Sequence, residues 1–181
     1  MAIDGAFTVR RVTAADRDGL IALVQNVRAE IVADYGNLAV PATLADARAW
    51  YVAQSADNNA ALVVSFDTAT MTLRGAGLWA HRPDQNGADG WELILVATDK
   101  TLPRGNPADA MTAVTRLNAY RACYHVLAGT LPDAMPVYGT VKIGGTLDLY
   151  LATLRLPGPL VFVDNGNLRT YWGTALQARS M

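Results

Sequence analysis

Apolar residues recur along the chain in two rhythms, and the change from one to the other predicts its elements. Phe7-Thr-Val-Arg-Arg-Val12 alternates as a half-buried strand does. Thr13 then stands as a helix N-cap with Asp16 three residues on, the reciprocal capping pattern. Leu20, Leu23, Val24, Val27 and Ile31 fall at i, i+3, i+4, i+7 and i+11, the core-facing stripe of an amphipathic helix. Gly36, Asn37 and Pro41 interrupt the chain before Thr43 caps a shorter helix through Ala47, Trp50 and Tyr51. Three strands follow with no room for a helix between them, at residues 61–66, 72–81 and 91–97. Their connections are a hairpin-length turn and a polar loop, so they form an antiparallel meander. Gly75 and Gly77 inside the second strand predict a bulge or a close backbone approach.

Asn106-Pro-Ala-Asp109 reads as N-cap, N1 proline, N2 and N3 acid. It predicts a long helix carried by Met111, Val114, Thr115, Leu117, Asn118, Arg121 and Leu127, with Gly129 just past its end. A strand at 137–143 comes next, and the intervening helix lets it lie parallel to the third meander strand. Gly144-Gly145 leads to a helical segment, 146–156, stopped by Pro157-Gly158-Pro159. The chain then closes as a hairpin, 160–163 and 168–172, around a four-residue turn, Asp164-Asn-Gly-Asn167. The order β-α-α-β-β-β-α-β-α-β-β predicts an α/β fold with a mixed, mostly antiparallel central sheet and helices on both faces. No linker or repeat divides residues 1–181, which read as a single domain.

Composition adds one anomaly and several exclusions. The 181 residues are 51% hydrophobic and 17% charged, against about 25% charged in an ordinary soluble domain. The deficit is uneven, with only Asp133, Lys142, Asp148 and Arg155 charged between residues 122 and 163. Either that stretch forms core, or its surface meets another subunit. A net charge of −1 offers no field for nucleic acid. A single cysteine, Cys123, and two scattered histidines, His81 and His125, build neither a disulfide nor a zinc cluster, and Cys123 reads as a small buried hydrophobe. No apolar run reaches 18 residues and no basic-then-apolar leader opens the chain, so neither a membrane span nor secretion is expected. Ser55, Ser65 and Ser180 have no adjacent histidine or nucleophile elbow, and the turn at 164–167 has too few acids for calcium.

The element order resembles the GNAT superfamily of acyl-CoA-dependent N-acyltransferases over nearly the whole chain. Two local patterns add to it. Phe7 to Asp16 with Leu20 and Leu23 is similar to the family's first strand and helix, and Trp91-Glu-Leu-Ile-Leu-Val96 followed by Pro103-Arg104-Gly105 resembles its central strand and cofactor loop. The resemblance implies acetyl-CoA or another acyl-CoA as donor, bound at Val96, Arg104, Gly105 and Asn106. It implies Glu92 as the base that takes the amine's proton and Tyr150 as the acid that reprotonates the thiolate. The residues also allow a Glu92 that is simply paired with an arginine and a Tyr150 that is core. The cofactor loop departs from the family's pattern of Arg or Gln, two residues, Gly, one residue, Gly or Ala. Whichever way the pattern is laid, Pro107 removes a donor amide at a small position, and Asp109 places a carboxylate in the expected first helical turn. Two readings follow: an N-acyltransferase, or a non-catalytic GNAT-like subunit of a larger assembly such as a tailed-phage particle. The first implies a cytoplasmic protein, the second a virion component. In both, the charge-poor C-terminal half is expected to meet a partner, through a homo-oligomer or a larger complex.

Overall fold

The fold was obtained as a computed structural model that describes residues 2–35, 43–57, 59–83, 89–106, 108–153, 158 and 160–180. Its elements run β1 (Ala2–Asp4), β2 (Phe7–Arg11), α1 (Arg17–Tyr35), α2 (Leu44–Ala56), β3 (Ala60–Asp67), β4 (Leu73–Pro83), β5 (Asp89–Thr98), α3 (Arg116–Ala128), β6 (Pro136–Lys142), α4 (Thr146–Thr153), β7 (Val161–Asn165), β8 (Leu168–Thr174) and α5 (Ala175–Arg179). The expected order is present, with a short strand added before it and a short helix after it. The signals at Gly36, Asn37, Pro41, Pro107, residues 154–157 and Pro159 lie outside the described residues.

The strands form one eight-stranded sheet in the order β1-β2-β3-β4-β5-β6-β8-β7, antiparallel except where β5 meets β6. Period-2 alternation decides which helices cover each face. Leu62, Val64 and Phe66 of β3 join Leu20, Val24 and Val27 of α1 and Ala47 and Tyr51 of α2. Ala61 and Val63 point the other way, into a cluster with Trp79 and with Ala119, Ala122 and Cys123 of α3. Each fully buried aliphatic side chain contributes about 1.5–3 kcal/mol. The expected close approach in β4 is real: a methyl on Gly75 would lie 2.6 Å from Ser65 Oγ and 3.5 Å from Ala119 Cβ, so α3 rests directly on the strand backbone.

Thr13 and Thr43 stand where capping was expected, before the 3-10 turn Ala14–Asp16 and before α2. The helix expected from Asn106 starts instead at Arg116, capped by Thr115. Asn106 and Asp109 do form the reciprocal turn the sequence promises. Asp109 Oδ2 accepts the Asn106 amide at 2.6 Å, and Asn106 Oδ1 accepts the Ala108 amide at 2.9 Å. The turn does not propagate, because the following carbonyls are engaged elsewhere. Met111 C=O accepts the Ala6 amide (2.8 Å), and the Asn118 side-chain amide donates to Ala110 and Ala113 C=O (2.8 and 2.9 Å). The final hairpin is tighter than expected, since Asn165 pairs with Leu168 and only Gly166 and Asn167 remain in the turn.

Candidate active site

A β-bulge in β5 creates the site. Leu78 of β4 opposes Leu95, but Trp79 opposes Leu93, so Ile94 is an extra residue on β5. The insertion flips the pleat: Trp91 and Leu93 pack on the α3 side, and Leu95 and Ala97 on the α1 side. It also bends β5 away from its neighbour. Among the described residues β5 pairs with β6 only over Trp91–Leu93, opposite Val137–Gly139. Beyond that the strands splay, and the edge of β5 from Ile94 to Thr98 faces a cleft of about 1110 Å³. Its walls are largely apolar, including Ile94, Val96, Val141, Leu147 and Leu151.

Both glutamates of the chain line this cleft. Glu92 lies one residue before the last paired position, with its side chain 18% exposed, and forms an ion pair with Arg82 of β4, another cleft residue. Arg82 is held in turn through its backbone, whose C=O accepts the Tyr138 hydroxyl at 3.2 Å. Glu30 of α1 accepts from Arg116 at 2.9 Å, and Arg116 Nε also donates to Thr98 Oγ1 at 3.2 Å. Arg116 thus ties α1, the end of β5 and the start of α3 at one mouth of the cleft. Arg104 lines the same cleft with an exposed side chain.

The expected site residues separate. Glu92, Val96 and Arg104 come together on the cleft, whereas Tyr150, Gly105 and Asn106 are not among its lining residues. Tyr150 is 1% exposed, in a cluster with Leu117, Tyr120, Val141, Leu151 and Tyr171. Burial raises its pKa, and the Arg121 guanidinium 5.6 Å from its ring centre offsets only part of that rise. The tyrosines that do line the cleft are Tyr120, Tyr124 and Tyr171, and burial pushes the Tyr124 hydroxyl far above its ordinary range. Arg82 was foreshadowed as the arginine a strand glutamate attracts. Glu30 and Arg116 had no signal, being 86 residues apart.

Buried charge also orders the far end of the cleft. Asp148 of α4 is 5% exposed. Burial opposes its ionisation, but the Gly144 amide (2.8 Å), the Tyr171 hydroxyl (2.7 Å) and Arg169 (3.3 Å) outweigh that and hold its pKa below the usual range. Gly144 and Tyr171 are cleft residues, so this network fixes their wall. Cys123 stands fully buried, its thiol pushed up to about 12 by burial, and takes no part in the site.

The start of α3 is where the resemblance would seat a pyrophosphate, on amides left free at a helix N-terminus. Those amides are taken. Arg116 N–H donates to Pro103 C=O at 2.9 Å and Leu117 N–H to Arg104 C=O at 3.1 Å. Asn118 N–H donates to Thr115 Oγ1 at 3.2 Å. The carboxylate expected to compete for this position, Asp109, instead caps Asn106 in the preceding turn. The cleft thus presents the edge of β5 beyond Leu93 between largely apolar walls, and the first-turn amides of α3 are already bonded within the chain.

No family model matches the chain, and no curated protein sequence matches it. Solved structures do. The spermidine N-acetyltransferase of Vibrio cholerae, in complex with CoA and spermine, superposes with a TM-score of 0.60 at 14% identity, covering 96% of this chain and 98% of that one. An acetyltransferase from Thermus thermophilus gives 0.62 at 15%, over 93% and 97%. A GNAT-family acetyltransferase from Streptococcus agalactiae gives 0.60 at 11%, over 95% and 97%. At these identities the likeness is one of architecture: the chain has the fold of these GNAT-type acetyltransferases.

Proposed function

We propose that the chain is a GNAT-type N-acyltransferase that moves an acyl group from a thioester donor such as acetyl-CoA to an amine in the cleft between β5 and β6. The observation that carries this reading is the splay itself, which leaves an unpaired strand edge and an apolar-walled cavity with a restrained carboxylate beside the last paired residues. A thioester supplies an acyl carbon with a good leaving group. As the amine nitrogen bonds the acyl carbon and the C–S bond breaks, Glu92 takes the proton the amine sheds and the departing thiolate takes one back from the protonated Glu92 or from solvent; Arg82 keeps the carboxylate in one orientation, and the aliphatic walls keep water from the acyl group. Tyr150 is buried directly behind the lining, among Leu117, Tyr120, Val141, Leu151 and Tyr171, and this reading assigns it no proton transfer. The test is thiol release from acetyl-CoA with a panel of polyamines and aryl amines. Glu92→Gln is expected to lower kcat by about 10²-fold or more with the fold intact. Unchanged turnover would remove Glu92 from the reaction.

A second reading is supported by the closed start of α3 and by the sheet edge at β7. There the fold serves as a non-catalytic subunit of a larger assembly, such as a tailed-phage particle. Val161, Phe162 and Val163 are 65%, 51% and 51% exposed on the outermost strand. An unpaired strand edge asks for another strand. We propose a second copy of this chain, because a two-fold antiparallel pairing of β7 with itself satisfies both edges at once.

A further inference from the structure

The closed start of α3 says which part of a donor this cleft can recognise. Three amides of the first helical turn are bonded within the chain, to Pro103 C=O, Arg104 C=O and Thr115 Oγ1. The arrangement is built in rather than incidental. Gly105 has φ +87°, the left-handed conformation that brings the Pro103 and Arg104 carbonyls onto the helix. A Cβ at that position would lie 2.6 Å from Thr115 Oγ1 and 2.9 Å from its Cβ. Asn118, fully buried, clamps the adjoining loop through Ala110 and Ala113 C=O, and Arg121 holds Asp109 C=O at 3.2 Å. An entering phosphate would have to displace carbonyl oxygens that occupy the positions it needs. Of the described cations at this end, Arg116 and Lys100 both face Glu30, at 2.9 and 3.9 Å, and Arg116 also bonds Thr98, which leaves the exposed side chain of Arg104.

We infer that this chain recognises its donor as an acyl-pantetheine thioester, through the edge of β5 and the cleft walls, and draws almost none of its affinity from the donor's phosphates. The inference rests on the acyltransfer reading for its ligand, but not for its geometry. A single exposed arginine on a flexible stem discriminates by less than about tenfold. Acetyl-pantetheine, which lacks the nucleotide, therefore binds within about tenfold of acetyl-CoA.

Two measurements on the full chain test this. Calorimetric titration with acetyl-CoA and acetyl-pantetheine is expected to give dissociation constants within about tenfold; a larger preference for acetyl-CoA overturns the inference. Amide hydrogen exchange in the ligand-free chain is expected to show Arg116, Leu117 and Asn118 protected, with no change on adding inorganic pyrophosphate. Exchange of these three amides at open-chain rates, or protection that appears only with pyrophosphate, overturns it. If neither donor binds, the acyltransfer reading fails, and the exchange experiment still decides whether the helix start is closed.

Discussion

Asp16 shows how a single side chain can turn a sequence pattern into stability with a known pH dependence. Its carboxylate accepts from the Arg10 guanidinium at 2.7 Å and from the Thr13 amide and hydroxyl, both at 2.7 Å. The Arg10 hydrogen bonds come first among the causes that bring its pKa from 3.8 down to about 2, against the opposing effect of burial. The folded pKa lies below the unfolded one, so the folded state binds fewer protons and the contribution is complete above about pH 4. It is lost as pH falls towards about 2. Chemical denaturation is expected to show wild type more stable than Asp16→Asn by on the order of 2 kcal/mol at about pH 5, with the gap closing between about pH 4 and about pH 2. A pH-independent gap would refute the assignment. Gly105 offers a second test at this scale. Gly105→Ala combines a positive φ with contact against Thr115 and is expected to cost about 2 kcal/mol or more in the same assay.

At the scale of elements, two pieces behave as wholes. The segment from Asn106 to Thr115 carries two capping signals in series, and the chain uses the second to start the helix. Local pattern favours the first, which has an N1 proline and an N3 acid that Thr115-Arg-Leu-Asn118 lacks. What overrides it is non-local: Ala6 and Asn118 claim the carbonyls a helix from Asn106 would have used. β7 is the other piece. It has no lysine, proline or bulge, and its one charge, Asp164, is neutralised by Arg169 at 2.6 Å, so the usual protections of a free edge are missing. Light scattering is expected to find a dimer that Val163→Lys converts to monomer without a change in helix content. A wild-type monomer at high micromolar concentration would remove β7 as an interface.

For the molecule as a whole, the sheet was readable because its strands alternate and its turns carry glycine and proline, and α1 because its stripe recurs along the whole helix. Val96, Glu92 and Arg104 are brought together by the family resemblance rather than by any local spacing, and all three line the cleft. The cleft could not be read. It depends on one inserted residue, Ile94, inside a strand whose apolar run hides the change of face, and on an ion pair between Glu30 and Arg116 that no local spacing announces. The charge-poor stretch is now divided. Val137, Val141, Tyr150 and Leu151 are buried, while Leu149 at 58% and the apolar end of β7 remain at the surface. The central claim is that the splay between β5 and β6 holds an acyl thioester. Thermal unfolding with and without millimolar acetyl-CoA tests it most directly. Ligand at about 100 times its dissociation constant adds about 2.7 kcal/mol, which raises the midpoint of a chain this size by about 5 °C or more. No shift at millimolar acetyl-CoA would contradict the claim.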